Sequence, residues 1–198
     1  YFNIWGTTDM SGTPEVILWR QYSKELGVVN NVEVGVQHGD FGVGLTRSMV
    51  EGYVMKDGKP IYNSAYTYSD QTIADVATNR DPRLTIFLKV PGQKNVFKNM
   101  SASEDHYVID EPYPTITTRN AENDYSTGYA IRKGGTFDKA NTGNGNCYNA
   151  AEIFRATEAL LNYMEAEYML TNSLSGKVLE YWKDVRKAAG FTGDAVNP

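Results

Sequence analysis

Ile153-Phe-Arg-Ala-Thr-Glu-Ala-Leu-Leu-Asn-Tyr-Met-Glu-Ala-Glu167 places Ile153, Thr157, Leu160, Leu161 and Met164, followed by Tyr168, on one stripe of a helix. Beyond the loop Thr171-Asn-Ser-Leu-Ser-Gly176, a second stripe forms from Val178, Leu179, Trp182, Val185, Arg186 and Ala189, and Gly190 terminates it. Two helices with so short a connection make a helical hairpin. Asn149 and Glu152 stand in capping-box spacing and set its start. The sequence therefore predicts antiparallel helices over 150–171 and 176–190, packed through Leu160, Leu161, Met164, Trp182 and Val185.

Upstream, the pattern is shorter and more broken. Val16 to Tyr22 is β-prone and bounded by Pro14 and Gly27. Val28 to Phe41 alternates Val with polar residues around Gly35 and Gly39, which predicts irregular chain with one short strand at most. Met49, Val50, Tyr53 and Val54 share one helical face within Thr46 to Met55, and Asp57-Gly58 is a turn. Ser69 to Thr78 reads as a helix. Leu84, Ile86 and Leu88 alternate with Thr85, Phe87 and Lys89, predicting a strand from Leu84 to Val90 closed by Pro91-Gly92. From Gln93 to Asn149 the composition is that of loop, with a short strand at Tyr129 to Lys133. A loop-rich region, 1–148, with short strands and helices thus precedes the hairpin, 149–198, and both are read as parts of one domain.

A hydrophobic fraction of 41% and a charged fraction of 22% in 198 residues are ordinary for a globular chain with a real core. The net charge of −5 argues against nucleic acid as a partner, because phosphate binding needs a surplus of Lys and Arg. With 14 Tyr, 7 Phe and 3 Trp, the aromatic supply suits wet interfaces with amphipathic ligands, although most such rings simply pack. Cys147 is the single cysteine, which excludes an internal disulfide and a Cys-rich metal site. No apolar run reaches the roughly 18 residues of a membrane-spanning helix.

Motifs for catalysis are missing. His38 stands beside Asp40, and His106 beside Glu104 and Asp105; both read as solvated pairs. No H-E-x-x-H or nucleophile elbow occurs, and Gly39-Asp-Phe-Gly-Val-Gly44 lacks the Lys-Ser/Thr of a phosphate loop. The Glu104-Asp105 and Asp110-Glu111 pairs read as solvent contacts, and Asn99-Met-Ser101 fits a common sequon. Arg80-Asp-Pro-Arg83 could clamp an anion, but the structural reading is stronger: Pro82 fixes a turn, Asp81 caps or pairs, and the arginines brace neighbouring loops. Arg155 is read as a structural cation near the start of the first hairpin helix. The chain is not read as an enzyme, and neither cofactor nor metal is expected.

One ordered series of blocks remains: Glu15-Val-Ile-Leu-Trp19, Met49-Val-Glu-Gly-Tyr53 running into Lys56-Asp-Gly-Lys-Pro-Ile61, Arg80-Asp-Pro-Arg-Leu84, Thr127-Gly-Tyr-Ala-Ile-Arg-Lys133, and the two hairpin helices. Their order and spacing resemble the SusD/RagB family of glycan-binding outer-membrane lipoproteins of Bacteroidetes. Leu45-Thr46 departs from the Pro-Thr of many relatives. The resemblance implies a mainly α fold, a SusD-like tetratricopeptide-type helical scaffold with long loops and a few short strands. It further implies an oligosaccharide or polysaccharide ligand, delivery to a TonB-dependent (SusC-like) transporter, a surface-exposed position at the outer membrane, and a lipid anchor outside this sequence, which reads as a fragment. The alternative is a protein-interaction module of the same complex that binds no sugar.

In such proteins ligands meet loops of variable sequence, which disfavours the recurring blocks. Aromatic and amide residues then point to Trp5, Trp19 and Tyr66 as stacking platforms, with Arg20 and Asn31 as hydrogen-bond donors. Tyr66 and Tyr68 would share a face if extended.

Overall fold

The computed structural model describes residues 2–38, 43–97, 107–108, 125 and 127–198. Asp40, His106, the Glu104-Asp105 and Asp110-Glu111 pairs and the 99–101 sequon lie outside them, as does a little under half of the tract expected to be loop. The described chain is mainly helical with one two-stranded sheet.

The elements run α1 (Phe2–Trp5), β1 (Val16–Arg20), α2 (Val32–His38), α3 (Arg47–Gly52), α4 (Ile73–Ala77), α5 (Leu84–Phe87), β2 (Ala151–Arg155), α6 (Ala156–Thr171) and α7 (Gly176–Ala188). Strand β1 forms where it is expected. It pairs antiparallel with β2, setting Val16 against Arg155 and Trp19 against Glu152. The pairing corrects the hairpin's start: the first helix begins at Ala156, not at 150. The Asn149 side chain cannot cap a helix because it accepts a hydrogen bond from the Asn141 amide and donates to the Gly134 carbonyl. Helix α6 is instead held by Glu15. Its backbone carbonyl accepts from Ala156 N–H, its carboxylate accepts from the Thr157 hydroxyl, and Arg155 lies 3.5 Å away. A carboxylate there also suits the positive end of the helix dipole.

Two further expectations are corrected. Residues 84–87 form a helical turn, α5, where a strand is predicted; Leu84 N–H bonds to the Asp81 carbonyl, and Leu88 N–H to that of Leu84. Leu84 and Leu88 are both fully buried, and residues four apart share a side in either conformation. Residues 32–38 form helix α2 where irregular chain is predicted. The Asn30 side chain accepts from Val32 N–H and starts the turn, while Glu33, Val34 and Gln37 face inward. Tyr129 to Lys133 contributes only an isolated bridge, Leu88 with Ile131.

Helices α3 and α4 form as their caps dictate. The Thr46 hydroxyl accepts from Met49 N–H, and Thr72 with Asp75 closes a capping box. Between them lies the main core: Leu45, Val50, Ile73, Val76, Leu84, Leu88 and Tyr129. A second cluster gathers Ala189, Phe191, Ala195 and Val196 against Val54. Helices α6 and α7 pack on each other, with Tyr163 and Tyr181 edge to face at 5.7 Å. The hairpin expectation holds, but its seam differs. Met164 and Val178 are its buried residues, and Leu161 is 49% exposed.

Candidate functional site

Arg80 is the buried pin around which a surface cleft is built. Its guanidinium donates to the carbonyls of Val50 (2.6 Å), Tyr53 (2.7 Å) and Val76 (3.2 Å). It thereby satisfies carbonyls at the C-terminal ends of α3 and α4 that the helices leave open. The Tyr68 ring lies 5.0 Å from it. Asp81, fully buried, takes both Nε (3.1 Å) and a terminal nitrogen (2.6 Å) of Arg83. The bracing role expected for this block is what the side chains do.

Asp57 organises the facing loop. Its carboxylate accepts from the Ser64 hydroxyl (2.8 Å), Ala65 N–H (2.9 Å) and Lys59 N–H (3.2 Å), and Ser64 in turn accepts from Tyr66 N–H. Desolvation raises the Asp57 pKa, but these hydrogen bonds outweigh it and hold the carboxyl below its ordinary range. The loop so pinned presents Tyr66, 37% exposed, to a cleft of about 510 Å³. Lys56, Asp57 and Asn79 line the cleft on the same side, and Phe191, Thr192 and Ala195 close it opposite. That volume lies in the range of roughly 300–1,000 Å³ typical of small-molecule sites. A second cleft of about 390 Å³ shares Phe191 and is lined by Tyr53, Asp81, Arg83 and Arg186.

The opposite wall is fixed by Arg186. Its guanidinium donates to the carbonyls of Gly58 (3.0 Å) and Ala195 (3.3 Å) and lies 4.9 Å from the Trp182 ring. Gly58 has φ +80, and a Cβ there would come within 2.6 Å of the Arg186 guanidinium and 2.7 Å of the Ala195 carbonyl. The cleft thus combines a tyrosine face with a cation, a carboxylate, an amide and a hydroxyl. A sugar ring needs such a lining: an apolar C–H face to stack and a rim of hydroxyls to hydrogen-bond.

Of the other residues singled out in the sequence, Trp5 lies among Lys133 (3.7 Å from its ring), Arg155 (5.5 Å) and Phe87 (6.3 Å), with its indole N–H buried and unpartnered. Trp19 sits in β1 opposite Glu152, and Arg20, at the strand's end, lies 5.3 Å over the Tyr22 ring. The Asn31 side chain accepts from Gly145 N–H at 2.6 Å. Only Tyr66 of the five lines the cleft. Tyr68 turns toward Arg80 with its hydroxyl buried, so the pair do not make one platform. Sequence reasoning missed the far wall, Phe191 to Ala195, and the neighbour Asn79, whose φ of 54° is a left-handed position that Asn favours.

A buried polar cluster was also missed. Glu33 and Gln37, one turn apart on α2, are enclosed without hydrogen-bond partners on their side-chain oxygens. The Tyr125 hydroxyl donates to the Gln37 carbonyl and accepts from Lys89 at 3.1 Å. Burial pushes the Glu33 carboxyl up to about 8, against the opposing pull of Lys89. Among the described residues there is no cluster of metal-ligating side chains and no helix long and apolar enough to cross a membrane.

The sequence model of the SusD family matches residues 14–197. No curated protein and no solved structure matches the chain.

Proposed function

Because this chain belongs to the SusD family, which binds glycans at the outer membrane in nutrient uptake, we propose that it holds an oligosaccharide and delivers it to a TonB-dependent transporter. The observation that carries this reading is the Tyr66 cleft, with its stacking face, its polar rim and its volume. On this reading the protein is surface-exposed, lipid-anchored and without catalytic activity, and α6 with α7 is one tetratricopeptide-type unit of its scaffold. Trp5, Trp19, Arg20 and Asn31 remain proposed ligand contacts outside the cleft.

Glycan binding by the full chain and by Tyr66→Ala tests the proposal. An aromatic platform contributes about 1–3 kcal/mol per stacked ring, so the variant should bind its oligosaccharide roughly tenfold more weakly while melting at the same temperature. Equal affinity would remove Tyr66 from the site. Turnover of the polysaccharide by purified protein would overturn the non-catalytic reading.

A second reading, a protein-interaction module without a sugar ligand, is favoured by α6, which leaves Met169 78% and Leu170 82% exposed. Saturable binding to the transporter with no binding to any glycan would support that reading over the first.

A further inference from the structure

Away from the Tyr66 cleft, cations and aromatic rings interleave. Arg132 lies 4.0 Å from the Phe2 ring centroid and 5.9 Å from that of Phe137, and Lys94 lies 5.4 Å from Phe137. The Phe2 and Phe137 rings are themselves in contact at 5.6 Å. The neighbouring Lys133 and Arg155 share the Trp5 ring. We propose that the Arg132, Lys94 and Phe137 surface binds the acidic residues of an anionic oligosaccharide, with carboxylates on the two cations and a sugar face on Phe137. This inference rests on the glycan-binding reading above and adds the ligand's charge class and a second place of contact.

Three observations carry it. First, most described arginines of this chain have an acid or a carbonyl as acceptor: Arg47 has Glu51 and Asp70, Arg83 has Asp81, Arg155 has Glu15 and Glu152, and Arg80 and Arg186 donate to backbone carbonyls. Arg132 and Lys94 have no such acid among the described residues, in a protein whose net charge is −5. Local positive charge inside an acidic chain is therefore not a by-product of composition. Second, rings contact the guanidinium face, where an acid would engage its edge. A cation over a ring is stabilised while its in-plane N–H groups stay available. The Arg132 Nε is buried and unpartnered, and burial alone lowers this group's pKa. A ligand carboxylate cannot reach that buried atom, but on the terminal nitrogens, which are not among the buried unpartnered atoms, it would restore the missing charge balance. Third, the surface is reachable and framed. Lys94 is exposed and Phe137 is 40% exposed, while Arg132 is anchored through its backbone N–H to the Phe87 carbonyl at 2.7 Å.

The test is calorimetry of the full chain with tetragalacturonate, with its methyl ester, which keeps the shape and removes the charge, and with a panel of neutral and sulfated oligosaccharides. Binding of the acid about tenfold tighter than the ester, lost in Lys94→Gln and in Arg132→Gln and weakened by salt, is the expected result. Lys94 is exposed, so its variant keeps the test decisive even if Arg132→Gln loosens the Phe2 and Phe137 rings. If sulfated but not carboxylated saccharides show this dependence on Lys94 and Arg132, the anionic site stands with a different acid group. Equal binding of acid and ester, binding of neutral sugars only, or an acid preference untouched in both variants would overturn the anionic site and leave the glycan reading in place. No binding to any saccharide in the panel would overturn both.

Discussion

Arg80 shows how much a single side chain can hold. Its three carbonyl acceptors belong to the ends of two helices, and among the described residues no other side chain bonds to all of them. Arg80→Leu would leave those carbonyls buried and unpaired, and a loss of about 3–5 kcal/mol in urea unfolding is expected. Arg80→Lys should recover little, since a point ammonium cannot fork between α3 and α4. Glu33 gives a prediction of different character. Its carboxyl is raised from an ordinary 4.5 to about 8, so it stays protonated in the native state at neutral pH and ionises on unfolding. Folding then takes up a proton. The contribution is whole below pH 4.5 and is lost as pH rises toward 8, by up to ~1.4 kcal/mol per pH unit. In Glu33→Gln that slope should vanish from a stability profile across this window; superimposable profiles for the two proteins would contradict it.

At the scale of elements, the hairpin is where sequence and structure part most instructively. Leu161 and Met164 both sit on the predicted apolar stripe, yet Leu161 is half exposed and only Met164 is buried. Leu161→Ala should cost about 1 kcal/mol or less, and Met164→Ala about 2–4 kcal/mol; comparison of their unfolding midpoints checks the order. Helices with local signals were legible: α3 and α4 fall within the stretches 46–55 and 69–78 read as helical, and Gly190, at φ +95, closes the hairpin. Elements decided by distant partners were not. Ile153 fits a helical stripe, but β1 offers open backbone groups to Ala151–Arg155 and draws them into a strand. Alternating Leu84, Ile86 and Leu88 suit a strand until Asp81 and Pro82 start a turn of helix beneath them. The Tyr66 side of the cleft could be read from its turn residues. Its other wall could not, because the Arg186 contact with Gly58 spans most of the chain. Gly58→Ala should therefore disturb both walls and lower stability by about 1–3 kcal/mol, with weaker glycan binding in the same variant.

For the whole molecule, the apolar interior lies on α3, α4, α5 and the segment after α7, while α6 carries large exposed side chains over much of its surface. Stability is accordingly uneven. Amide hydrogen exchange should be slowest around Val50, Val76 and Leu88 and markedly faster in the second half of α6. Uniform protection along the chain would show that the hairpin is held as firmly as the core. The pairing of β1 with β2 has a further consequence, in time and not in energy. Val16 meets Arg155 about 140 positions later, and only then does Glu15 reach the first turn of α6. Closing so long a loop is entropically costly and slow, whereas the body of α6 can form by itself within microseconds. The helix should thus grow early with a frayed beginning and acquire its Glu15 cap as one of the last events of folding, so that substitutions at Glu15 hasten unfolding and leave the rate of folding almost untouched.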